Sequence, residues 1–235
     1  MSWRRLLVTG GLIAVMAGLA GFALEWLQFG APGPGAVRRI DREISGDFEA
    51  MTSLLSRLGN AIATDPATAD ALQALRSQQA GVDPTRALFD VLDRQLAQGR
   101  TRSDIAVTIY DFPDGPARAW AGRPSDIPAE RIRTPRAWFV TQSPQGLRLV
   151  HTIPVDAGGD APVGVVAMEH ALSPAPHAGS LAPVEYLLPT RFGPASLRLQ
   201  FEGAGDQPRP GAFLLKAPTG EVLVEASIPP DQIEA

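Results

Sequence analysis

The stretch DIAVTIYDFPDGPARAWAG (residues 104–122) decides how this chain is read, because the apolar pattern changes period there. Ile105, Val107 and Ile109 alternate with Ala106, Thr108 and Tyr110, as in a strand with two different faces. The PDG that follows supplies a turn: proline presets one backbone angle and glycine relaxes the next. ARAWAG is then short enough to be the returning strand. Further on, RPSDIPAERI reads as a proline-broken loop with one helical turn. AWFVTQSPQGLRLVHTIPV reads as strand, turn at residues 143–146, and strand, and PVGVVAMEHAL as a closing strand. The expectation is an antiparallel meander of about five strands, near the common sheet size.

Upstream the period is helical. Val37, Ile40 and Ile44 lead into Phe48, Met51, Leu55, Leu58 and Ile62, and from Ile44 onward the steps alternate between four and three residues. Such spacing gives a long helix one apolar seam. A parallel dimer helix and a helix laid along a sheet both fit it, and the shortness of the strict run favours the second. Asp65-Pro66 and Asp83-Pro84 each place a capping carboxylate before a proline at the first helical position, so two shorter helices follow, ending by Gly81 and by Gly99. After the sheet comes a proline-rich passage, SPAPHAGSLAPVEYLLPTRFGP. Beyond it ASLRLQFE, AFLLKA and EVLVEASI look like three strands, the last two joined around PTG. This tail is either a small second lobe or three more strands on the first sheet.

Residues 6–27, LLVTGGLIAVMAGLAGFALEWL, precede all of this. Residues 6–24 carry no formal charge, close to the roughly 20 residues a helix needs to cross a bilayer. An uncleaved membrane anchor is the favoured reading; a cleaved signal ending at Ala23 is the alternative. Arg4 and Arg5 before the span place the N-terminus in the cytoplasm and the bulk of the chain outside, in a bacterial inner membrane. Gly10, Ala14 and Gly18 are spaced four apart and would let two such helices meet in a homodimer, although small residues abound in any span. The fold class expected is therefore α+β. A transmembrane helix comes first, then a long amphipathic helix and two shorter helices packed on an antiparallel sheet, then a β-rich extension, with divisions at 1–35, 36–100, 101–173 and 174–235.

Composition narrows the function. A net charge of -4 argues against a nucleic-acid partner, which asks for a basic stripe. The absence of cysteine excludes disulfides, thiol catalysis and zinc-thiolate sites. There is no G-x-S-x-G elbow, Gly-rich phosphate loop, H-E-x-x-H or helical histidine pair, so no catalytic residue, metal site or cofactor is expected, and no enzymatic activity. If the sheet takes a small-molecule ligand, the residues to watch are Tyr110, Trp120 and Trp138 on three strands and Arg148 and His151 on a fourth. Aromatic walls with a few polar groups make a pocket, and an arginine selects a carboxylate. Strand parity already sends Arg148 and His151 to opposite faces, as it does Glu169 and His170. His151 shares its face with Leu149 and Ile153, the setting of a core histidine.

The order of elements, with VTIYDFPDGPARAWAG as a first hairpin and PVGVVAMEHAL as a closing strand, resembles a Cache or PAS-like region. Such regions are the extracytoplasmic sensors at the N-terminus of bacterial membrane receptors, chiefly sensor histidine kinases. The resemblance covers roughly residues 37–172 and rests on arrangement and texture, since the family is defined by shape more than by fixed residues. It implies that a ligand or physical signal shifts the domain between two arrangements and that helices through the membrane pass the shift to a cytoplasmic output. The sequence shows no second apolar span, kinase helix or nucleotide motif, and His151, His170 and His177 all fall in the expected ectodomain. Two expectations follow: the sensory part of a longer receptor, or a stand-alone anchored envelope protein that binds a partner through its heptad helix or tail strands.

Overall fold

Three helices come first among the described residues, α1 (Pro34–Ala63), α2 (Pro66–Ser77) and α3 (Pro84–Gln98). Both expected caps are in place: Asp65 Oδ1 accepts the Ala67 N–H at 3.0 Å, and Asp83 Oδ1 accepts that of Thr85 at 3.1 Å. The computed structural model describes residues 34–77, 83–98, 104–113, 115–134, 136–144, 146–174, 186–190, 193–199 and 212–228. The expected anchor at 6–27, with Gly10, Ala14 and Gly18, lies outside these residues. Among the described residues no helix is long and apolar enough to cross a membrane.

Two antiparallel sheets follow. The first holds β1 (Ile105–Asp111), β2 (Ala117–Ala121), β3 (Trp138–Ser143), β4 (Gly146–Val155) and β5 (Gly164–Pro174), in the order β2-β1-β5-β4-β3. This corrects the expected meander, because β2 and β3 occupy opposite edges and β5 returns to pair with β1, Ile105 opposite His170. The reason is burial: the nearly unbroken apolar run of β5 suits a central strand covered on both faces. The segment between β2 and β3, residues 122–137, crosses one face and carries the single-turn helix α4 (Ala129–Ile132). Ile127 and Ile132 from it pack with Phe139, Val150, Val165 and Ala167.

The opposite face receives the helices. Of the seam residues on α1, Ile44, Phe48, Leu55 and Ile62 are buried, while Met51 and Leu58 are partly buried against the same core. Thr52 and Gly59 are also buried, so the stripe that meets the chain's own sheets is broader than the heptad reading. A Cβ added at Gly59 would lie 2.2 Å from Ile153 Cδ1 and 2.8 Å from Met168 Cγ. The helix backbone thus sits directly on β4 and β5.

The tail forms a second sheet, a structure neither alternative anticipated fully. It has four strands, β6 (Tyr186–Thr190), β7 (Gly193–Leu199), β8 (Ala212–Lys216) and β9 (Val222–Ser227), in the order β6-β7-β9-β8. β6 comes from the proline-rich passage, where Pro189 opposes Pro194 at the sheet edge and costs no ladder bond in the interior. The sheet is not a separate lobe: Leu197, Leu215 and Val224 join the same core as α1, Ile109 and Leu149. Leu187 also donates its N–H to Ser173 Oγ at 3.0 Å, linking β6 to β5.

Two alanine substitutions in α1 should therefore differ in sign. Nothing lies within 4 Å of a Cβ at Gly46, so Gly46→Ala should stabilise by about 1 kcal/mol. Gly59→Ala gains the same helix propensity but overpacks against Ile153 and Met168 at a cost of about 1–3 kcal/mol, and a net loss is expected. Urea unfolding of both variants checks the pair.

Candidate functional site

Alternation along β5 sends Met168 and His170 to the helix side and Glu169 to the face beneath the β2–β3 connection. Glu169 is opposite Ala106 of β1 and Val150 of β4, and its exposure is 0%. A carboxylate so placed needs donors. Ser125 in the covering segment supplies them: its backbone N–H lies 3.1 and 3.0 Å from the two carboxylate oxygens, and its hydroxyl donates to Oε2 at 2.5 Å. Arg148, itself buried, stands with Nη1 3.7 Å from Oε2, an ion pair without close contact.

Burial pushes the Glu169 carboxyl above its usual 4.5, and the Ser125 hydrogen bonds and the Arg148 charge only partly oppose that. Tyr110 lies on the same face. Burial, and then the Glu169 charge, raise its phenol to about 12. A carboxylate, a guanidinium and a phenol thus share one covered sheet face, bordered by Phe139, Val150 and Val165.

The five residues expected to line a pocket do not converge. Tyr110 and Arg148 join Glu169 as described. Trp138 and His151 oppose each other across β3 and β4 on the helix side, stacked at 3.9 Å with an interplanar angle of 5°. His151 Nδ1 is buried with no hydrogen-bond partner among the described residues, and burial lowers the imidazole to about 4. Trp120 is 51% exposed on edge strand β2, where its ring meets Phe89 of α3 edge to face at 5.6 Å. A single aromatic wall is excluded by strand parity and by the edge position of β2.

Sequence reasoning placed Glu169 only on the face opposite His170 and passed over Ser125. A lone carboxylate inside the run PVGVVAMEHAL was a usable signal, because a strand apolar on both faces leaves it no solvent. Ser125 carried none, being one polar residue of a loop. A second acid, Asp111, serves the scaffold: Arg118 Nε and Nη2 bind its Oδ2 at 2.8 and 2.5 Å, and Arg76 of α2 approaches Oδ1 at 3.7 Å, tying the first hairpin to α2. Among the described residues no group of three His, Cys, Asp or Glu could hold a metal ion.

No protein-family model, no curated protein and no solved structure matches this chain.

The two buried titrating groups pull the pH profile in opposite directions. His151 is held neutral in the fold, so the unfolded chain takes up its proton first, and stability is lost as pH falls from 6.5 toward about 4. Glu169 keeps its proton above 4.5 in the fold, so its contribution is lost as pH rises beyond that value. In urea midpoints followed across this range, His151→Phe should leave only the Glu169 slope, and Glu169→Gln should steepen the loss on acidification.

The ion pair has its own signature. Arg148→Met leaves Glu169 buried without its cation and should cost about 3 kcal/mol. Adding Glu169→Leu to that variant should restore most of the loss, and unfolding of the single and double variants measures the difference.

Proposed function

We propose that this chain is the extracytoplasmic sensing region of a bacterial membrane receptor, of the Cache or PAS-like kind that precedes the kinase in two-component sensor histidine kinases. In this reading residues 6–27 anchor it in the inner membrane. The supporting features are a long helix following the expected anchor, a five-stranded antiparallel sheet with helices on one face, and a covering segment on the other. The observation that carries the proposal is the contact of Ser125 with the buried Glu169. The cover is held at this point by one residue's bonds to a carboxylate whose ionised form burial disfavours.

A segment of this kind has two arrangements, and a ligand acts by favouring one. A small molecule that gives Glu169 a donor in place of Ser125, and offers Arg148 an anionic group, would hold the cover away from the sheet. β5 then carries the change across: Glu169 faces the cover, while its neighbour Met168 supports α1 at Gly59. The coupling runs through adjacent residues of one strand to the helix that leads back toward the membrane. This chain performs no chemistry in the scheme.

A stand-alone single-pass envelope protein that binds a partner is the second reading. Trp120, 51% exposed on the edge strand β2, favours it, since exposed aromatic side chains are enriched at protein interfaces. Most of the α1 seam packs into the protein's own core.

An antibody against the folded region, applied to separated membrane and soluble fractions of the native cells, discriminates the readings. The receptor predicts a membrane-bound band far above 24.9 kDa. A membrane band at that mass would instead support the stand-alone protein, and a smaller soluble envelope band would replace the anchor with a cleaved signal.

A further inference from the structure

A groove of about 630 Å³ runs between α1 and the strands β5 and β6, on the sheet face opposite Glu169. Its volume lies within the range of small-molecule sites, about 300–1,000 Å³. Ile44, Phe48, Met51 and Leu54 recur on α1 at steps of four, three and three, so one face of the helix forms a wall about 15 Å long. Opposite it stand Leu172 of β5 and Leu188 of β6. Ile44, Phe48 and Leu172 are buried, whereas Met51, Leu54 and Leu188 are only partly covered by the protein itself.

The polar groups along the groove are engaged or offset by one another. Asp104 and His170 each make a further interaction within the protein, and the Asp104 carbonyl accepts the Ala171 N–H at 2.9 Å. Asp47 and Arg57 both line the groove from α1, and Arg42 lies five residues before Asp47 on the same helix. In sequence Arg191 follows the lining residue Thr190. An ion of either sign entering here meets its like charge as well as its opposite. It also gives up water, which costs a charged group far more than an apolar one.

We propose that the groove binds an uncharged molecule with an apolar body, seated on Met51, Leu54 and Leu188 over Leu172. The driving force is the removal of apolar surface from water, which asks for no partner of either charge. Met51 suits such a wall, because an unbranched, polarisable side chain adapts to the shape laid against it. Leu172 belongs to the first sheet and Leu188 to the second, so the occupant touches both sheets as well as α1. The site is separate from the cover over Glu169 and does not rest on the sensing role.

The chain contains no cysteine, so an introduced thiol reports occupancy on its own. Met51→Cys and Leu54→Cys place one in the groove. Asn60→Cys places one at an exposed position on the opposite side of α1, about two and a half turns from Met51. Alkylation by N-ethylmaleimide is timed on the full-length protein in lipid nanodiscs, with naphthaleneethanol, naphthaleneethylamine or naphthaleneacetate added and compared at equal free concentration. The alcohol should slow labelling of Met51→Cys and Leu54→Cys saturably, by about threefold or more, and leave Asn60→Cys unchanged. The amine and the carboxylate should each need about threefold or more of the alcohol's concentration for half their effect. Absence of saturable protection at both groove positions, equal slowing at Asn60→Cys, or an ion acting at the alcohol's concentration or below it would each overturn the proposal.

Discussion

The absence of a side chain at Gly59 is what lets α1 rest on the first sheet. Ile153 Cδ1 and Met168 Cγ occupy the space where a Cβ would stand, so helix and strands meet at backbone distance. On either side of that contact Leu55 and Ile62 are fully buried, and a larger residue at Gly59 would lift both from the core. The same helix reaches the second sheet further back, where Phe48 and Thr52 lie beside Leu215 and Ala217 of the β8–β9 hairpin. One helix thus serves two sheets, which is why their apolar faces merge into a single core rather than two.

β5 is the other element on which the arrangement turns, because three successive residues face three environments. Met168 supports α1, Glu169 holds the cover, and His170 lines the groove. The energetics at Glu169 are finely divided. Burying an ion costs several kcal/mol even after relaxation. Each hydrogen bond to a charged group returns about 1.5–3 kcal/mol, so the Ser125 contacts offset much of that cost without exceeding it by far. The upward shift of the carboxyl shows that desolvation keeps the larger share. Beside this polar contact Ile127 and Ile132 hold the cover by apolar packing, and the clamp of Arg118 and Arg76 on Asp111 ties the neighbouring hairpin down.

Local chemistry was legible in the sequence because neighbours along the chain set it. The caps at Asp65 and Asp83, the turn at PTG, the single helical turn within residues 122–137, and the parity that separates Arg148 from His151 all follow from spacing and residue type. The strand β6 escaped because its prolines break the alternation that marks a strand, although a sheet edge tolerates them. Residue types alone suggested an aromatic ligand wall, yet Trp138 and Trp120 turned to the helix side and to the outer edge.

Tertiary structure alone decided what is paired and what is covered. The neighbours in the first sheet join residues as distant as Ile105 and His170, and Ser125 finds Glu169 across 44 positions. No short window of sequence contains those pairings, because they are chosen by which apolar faces can be buried together once the helices and both sheets have met. The sequence by itself determined the three long helices with two of their caps and the described strands other than β6. The burial of Glu169, the stacking of His151 on Trp138 and the groove beside Asp47 exist only because long-range packing brought separate segments to the same place.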